Sequence, residues 1–321
     1  MPFSLPLRFL IVATLLTLAT AVRAGESSYE TLAHEHILAK YHALTSELAD
    51  LSSKNRPESV KGLRKRVGAF KDALDIFIFA LPCGEMGPRI RADFDEGYEI
   101  IGKYKDLYDV AMLEDEEAEA SEIEYDEETL KERRSKMLKW RNELLEPGRK
   151  GSYTRFLNRI GKEERECERE KLPRFYWGAV DFHVDHDLSG VENVRALSVG
   201  LLERADHDYD DLDELGPLTE IENEDAFHDF RKRVRSVLKI LATFKAVGPG
   251  DEESVEILKE TVERFGQLND TIVAYHIAVE EDRNKKAARL EEEIAHGWAE
   301  LHDWTKEHEV EHALETLAES L

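Results

Sequence analysis

The sequence predicts an all-α protein made of two similar helical halves. Three observations predict it. Apolar residues recur at three- and four-residue steps over long stretches, whereas alternating strand-type runs are scarce. Proline and glycine punctuate these stretches at helix-length intervals. And Leu63-Arg64-Lys65-Arg66-Val67 returns as Phe230-Arg231-Lys232-Arg233-Val234, the sign of an internal repeat.

The elements follow in order. Arg8 precedes the apolar run Phe9–Ala19, and Val22-Arg23-Ala24 is an acceptable cleavage tripeptide, so residues 1–24 are expected to be a signal peptide. The run is short for a membrane span, so export to a periplasm or to the exterior is expected, without stable membrane insertion after cleavage. The first half is expected over 25–172 and the second over 173–321. Ser28–Leu51 carries Leu32, Ile37, Leu38, Tyr41, Leu44 and Leu48 at helical spacing. Pro57 opens a helix to about Leu81, which Pro82 and Gly84 stop, and Pro88 opens another to about Leu113. Glu114–Glu128 holds ten acids and no base, the pattern of a solvated linker or frayed helix ends. A helix from about Glu127 to Leu145 is expected to end at Pro147-Gly148, with the next over Ser152–Lys171. Residues 173–189 read as irregular. Helices are then expected at about Val191–Leu215, Asp225–Val247, Glu252–Glu280 and Arg283–Glu307. A second internal match sets Leu107-Tyr108-Asp109-Val110 beside Leu268-Asn269-Asp270-Thr271.

The chain has 321 residues, 44 Lys+Arg against 69 Asp+Glu, and a formal net charge of −25. That length supports a sizeable core. The charge sign argues against a nonspecific nucleic-acid binder, and no nucleic-acid partner is expected. Cys83 and Cys167 are the only cysteines. An oxidising compartment permits a disulfide between them, and two unrelated buried thiols fit equally well.

The most informative segment is His228–Lys239. On a helix, His228, Arg231, Arg235 and Lys239 share one face, with Lys232 at its edge, and Phe230, Val234, Val237 and Leu241 face the other way. Such a row repels itself unless an extended polyanion or several carboxylates answer it. Arginine suits phosphate because its planar fork donates paired hydrogen bonds. The alternative is a basic face neutralised by the chain's own acids.

His228-x-x-Arg231-x-x-x-Arg235-x-x-x-Lys239 resembles the signature helix of the CHAD family, the conserved histidine α-helical domain. Phe265-Gly266-Gln267-Leu268-Asn269-Asp270-Thr271-Ile272-Val273 resembles that family's second motif, at a helix end, and Ile294-Ala295-His296-Gly297-Trp298 its closing helix. The resemblance is strongest over 220–305 and weaker over 28–147. It implies two similar antiparallel helical bundles about a pseudo-twofold axis, with a basic channel that takes inorganic polyphosphate and no firmly attached catalytic activity. It further implies an anion site at His228, Arg231, Lys232, Arg235 and Lys239, with Lys61, Arg64 and Lys65 as its first-half counterparts. There the pattern is eroded: Lys61 stands at the histidine position, Gly68 and Asp72 at the next two cation positions. Lys65 and Lys71 are placed to compensate. Asp270 is expected to orient a cation or cap a helix.

A competing constellation is Asp181–Asp187, with His183 and His186, followed by Asp206–Asp211. Imidazoles and carboxylates suit metals, but neither stretch carries an H-E-x-x-H or EF-hand pattern, and neither metal nor cofactor is expected. The basic stretch Lys131–Arg141 fits an exposed helix face or the same channel. A P-loop, a dinucleotide glycine fingerprint and G-x-S-x-G are absent. The expectation is a non-catalytic binder of a phosphate-rich anion, the alternative a helical scaffold that binds another protein.

Overall fold

The computed structural model describes residues 27–51, 57–82, 86–116, 127–161, 182–212, 215–248, 250–280 and 282–321. The expected leader, both cysteines, Asp181 and the middle of the acidic run lie outside the described residues. The described residues are helical with no strand. The chain divides into two compact units, Ser28–Pro173 and Arg174–Leu321, with the residues up to Ser27 grouped with the latter.

In the first unit, α1 spans Tyr29–Asp50 and starts where Ser28 accepts the Thr31 N–H. Helix α2 spans Pro57–Ile76 and tightens into a 3-10 turn at Ile78–Ala80, short of the expected Leu81. Helix α3 spans Met86–Glu116, so Pro88 lies inside its first turn, where the missing N–H has no helical acceptor to lose. Its last residues enter the acidic run. Helix α4 spans Glu127–Leu145, as expected.

Helix α5 corrects the reading at Pro147. It spans Pro147–Arg159, not Ser152–Lys171. Proline's preset φ favours a first helical position, so Pro147 opens this helix as well as closing the last. At the far end Gly161 has φ +72°, and a Cβ there would sit 2.7 Å from the Glu30 Cβ. Only glycine allows both the left-handed turn and the close approach.

Consecutive helices pair within this unit, α1 on α2, α2 on α3 and α3 on α4. Phe70 and Phe94 meet edge to face at 4.6 Å, and Tyr41, Tyr153 and Trp140 surround them. Burial of such rings supplies about 2–3 kcal/mol each. Beside them lies a buried ionic knot. Arg91 is 3% exposed and donates from Nε and Nη2 to the two Asp75 oxygens, each at 3.1 Å. Arg91 and Lys71 both also pair with Asp95.

In the second unit, α6 spans Gly190–Leu212, α7 Ile221–Thr243, α8 Glu252–Glu280 and α9 Asn284–Glu307, with a 3-10 turn at Lys245–Val247 after α7. One further helix, α10, spans Val310–Ser320. Its apolar spacing, Val310, Ala313, Leu314 and Leu317, is legible in the sequence, and all four side chains are buried. The break before it is not legible: Glu309 turns the chain in the left-handed region at φ 50°, with no glycine or proline to mark it. Helix α10 packs on α6 and α8. Helix α9, with Ile294 and Trp298, therefore does not close the bundle.

Among the described residues, both units share an order of five helices, with a 3-10 turn after the second.

Candidate functional site

Helix α7 is anchored by its apolar side. Phe227, Phe230, Val234, Val237 and Ile240 are each fully buried. Phe227 stacks on Phe265 of α8 at 4.8 Å, and Trp298 of α9 meets both rings edge-on. Ile240 takes the place expected for Leu241, which is half-buried.

The helix is also held by a buried charge. Arg233, 7% exposed, pairs with Asp208 of α6, also 7% exposed. Arg204 Nε lies 3.0 Å from the other Asp208 oxygen. Burial, then the Arg204 charge, lowers the Arg233 guanidinium to about 10. Part of the Asp206–Asp211 cluster is thus a structural counter-charge. Asp206 has its carboxyl pushed up by burial first, then by Glu315, Asp210 and Glu311.

These anchors leave His228, Arg231, Lys232, Arg235 and Lys239 on the other side, all half-buried. His228 Nε2 lies 3.3 Å from one Glu224 oxygen, and His276 Nε2 of α8 lies 2.8 Å from the other. Burial, then the Lys232 charge, holds the His228 imidazole below its usual range, with Arg231 adding to this and Glu224 opposing it. Lys232 Nζ lies 3.4 Å from Asp229. Arg231 Nε donates to the Val262 carbonyl of α8 at 3.5 Å. Its guanidinium rests on Gly266, where a Cβ would lie 3.0 Å from Nη2. Arg235 Nε is buried and, among the described residues, has no hydrogen-bond partner.

The same packing recurs in the first unit. Arg64 lies against Gly102, with Nη2 3.4 Å from the Cβ position, and its guanidinium carbon is 4.9 Å from the Tyr98 ring centre. The two arginine–glycine pairs set Ile101-Gly102-Lys103-Tyr104-Lys105-Asp106 beside Phe265-Gly266-Gln267-Leu268-Asn269-Asp270. This register lies three residues from the expected match at Leu107, whose side chain, like that of Asp109, is outside the described set. Lys61 and Lys65 are exposed. At Gly68, the missing cation's position, the Tyr98 ring lies 3.4 Å from where a Cβ would be. Lys71 does not compensate: it pairs with Asp95, its Nζ sits 4.6 Å from the Tyr98 ring centre, and burial lowers its ammonium.

Other expectations resolve differently. Asn269-Asp270 lies mid-helix in α8, not at a helix end, so Asp270 caps nothing. Asp270 is exposed, and the Asn269 Oδ1 is buried. The acid-rich segment before α6 caps that helix. Ser189 N–H donates to Glu192, Glu192 N–H donates to Ser189 Oγ, and Asn193 Nδ2 donates to the Asp185 carbonyl at 2.8 Å. Among the described residues no group of three or more His, Cys, Asp or Glu could hold a metal ion. None of their helices is long and apolar enough to cross a membrane. Arg233 stood in the sequence only as part of the repeated pentad and Asp208 only as part of the acidic cluster, and Glu224 and His276 went unnoticed. The pentad containing Arg233 is repeated, yet its counterpart Arg66 is exposed and only 3.9 Å from Glu47, so repetition carried no sign of burial.

Buried aromatic and ionic anchors holding a half-buried row of cations define an all-α bundle with a candidate anion face. The chain has a CHAD-like fold. It is similar to the crystal structure of the CHAD domain from the plant Ricinus communis, with a TM-score of 0.55 at 14% identity over 91% of this chain and 93% of that one. No protein-family model matches the sequence, and no curated protein does.

Proposed function

We propose that this chain binds a phosphate-rich polyanion, inorganic polyphosphate, without catalysis, through His228, Arg231, Lys232, Arg235 and Lys239. The observation that carries the reading is Arg235, which is half-buried on the face between Arg231 and Lys239 and makes no ion pair to a described residue. A phosphate on that face takes hydrogen bonds from its guanidinium fork and offsets the repulsion along the row. The scaffold alternative requires a protein carboxylate for each cation, and Arg235 has none among the described residues.

The second unit dominates binding in this reading. Lys61, Arg64 and Lys65 contribute less, because Gly68 and Asp72 replace two cations and Lys71 is committed to Asp95. The net charge of −25 weakens long-range attraction, but screening beyond ~8 Å at physiological salt leaves local contacts intact. The proposal includes export, with residues 1–24 removed; N-terminal sequencing of the protein from a cell envelope or medium should begin at Gly25.

Titration calorimetry with long-chain polyphosphate tests the binding. Arg235→Ala should weaken it at least about tenfold, Lys61→Ala less than about threefold, and added salt should weaken it for the wild type. Absence of heat, or an Arg231→Ala/Arg235→Ala variant that binds like wild type, overturns the proposal.

A further inference from the structure

A cavity of about 600 Å³ opens in the first unit between the start of α3 and the start of α5. It is lined by Arg89, Arg149 and Arg155, with one carboxylate, Asp93. The chain as a whole is strongly acidic, yet α5 carries Arg149, Lys150, Arg155 and Arg159 and no acid. Positive charge is therefore concentrated at this wall against the sign of the whole molecule.

The charges divide into a fixed floor and two arms. Arg149 is the floor: it pairs with Asp93 and, at 3.5 Å, with Glu143, its Nε donates to the Tyr153 hydroxyl at 3.2 Å, and that hydroxyl donates to Asp93 at 2.7 Å. Asp93 thus neutralises Arg149 and locks its orientation. Arg155 Nη2 donates to the Ser152 hydroxyl at 3.2 Å, an uncharged partner. Arg89 is exposed and makes no hydrogen bond or ion pair to a described residue. Arg89 and Arg155 are the two guanidinium groups of the lining that pair with no carboxylate among the described residues, a match for one dianion. Met86 and Ile90 add apolar lining. Gly148 lines the cavity too, and a Cβ built there meets no atom within 4 Å. A volume of this order suits a small organic molecule.

We propose that this cavity binds a small phosphate monoester, its dianionic head between Arg89 and Arg155 and its apolar body against Met86 and Ile90. The site is separate from the α7 face and does not depend on polyphosphate binding there.

Titration of the full chain with phenyl phosphate, inorganic phosphate and phenol tests it. Phenyl phosphate should bind at least about fivefold more tightly than either fragment, since head and body both contribute. Arg89→Ala and Arg155→Ala should each weaken it about fivefold without lowering the melting temperature, because both side chains are exposed. Gly148→Leu extends into open space and should abolish binding in a folded protein. Arg231→Ala/Arg235→Ala should bind phenyl phosphate like wild type. Binding by inorganic phosphate equal to that of phenyl phosphate, an unchanged affinity in Arg89→Ala/Arg155→Ala, or no phenyl phosphate binding at all overturns the proposal.

Discussion

Asp208 is the residue on which the seating of α7 can be tested most directly. Asp208→Asn keeps the shape and removes the charge that answers Arg233. Both side chains are only 7% exposed, so water cannot take over that role. Removing one partner of a buried pair costs about 3–5 kcal/mol, because the other is left charged and desolvated. Arg204 has 32% of its side chain exposed and adds little to that figure. With a urea slope of about 2 kcal/mol/M, the midpoint should fall by about 1.5–2.5 M. Trp298 and Trp304 lie in this unit, and their fluorescence in urea titrations reports the transition. The double variant Asp208→Leu/Arg233→Met removes both charges and should recover most of the loss. A midpoint shift below about 0.3 M in Asp208→Asn would refute the clamp, as would a double variant less stable than Asp208→Asn.

Two further outcomes follow from single positions. Gly266→Ala places a methyl 3.0 Å from Arg231 Nη2. Alanine raises helix propensity by about 1 kcal/mol, so the melting temperature should hold or rise while polyphosphate affinity in calorimetry falls about fivefold through the displaced fork; unchanged affinity would detach Arg231 from the site. Burial first, and Lys40 second, lower His36 from 6.5 to about 4. A depressed folded value means that the unfolded chain takes the proton first. Stability from neutral His36 is therefore full above about pH 6.5 and is lost as pH falls toward 4, by on the order of 3 kcal/mol. His36→Gln should flatten that part of a urea-midpoint profile followed at Trp140; an unchanged slope between pH 6.5 and 4 would count against the assignment.

The helical class, most helix bounds and the cation face of α7 were legible because each rests on local periodicity. Three- and four-residue spacing sets which side chains share a face, whatever packs on it. Pro57 at a helix start and Glu252–Glu280 as one helix follow from local chemistry too. The reading failed where one residue allows two local outcomes, as at Pro147, or where strain is held by packing, as at the left-handed Glu309. The repeat's register also escaped it, since Leu107 and Tyr104 are equally plausible partners for Leu268 until Gly102 and Gly266 are seen under their arginines.

By itself, the sequence determined that this chain is helical, twofold repeated in its basic pentad, acidic overall and basic along one helix face. Only the tertiary structure decided what each cation does. Arg233 and Arg235 are two residues apart in the same helix, yet the first is spent on Asp208 and the second makes no ion pair to a described residue. Lys71 passes from candidate ligand to a member of the Asp75–Arg91–Asp95 knot. The difference is one of range. Periodicity is set by neighbours within a turn, whereas the fate of a charge is set by which carboxylate another helix brings within about 4 Å and by how much water remains there.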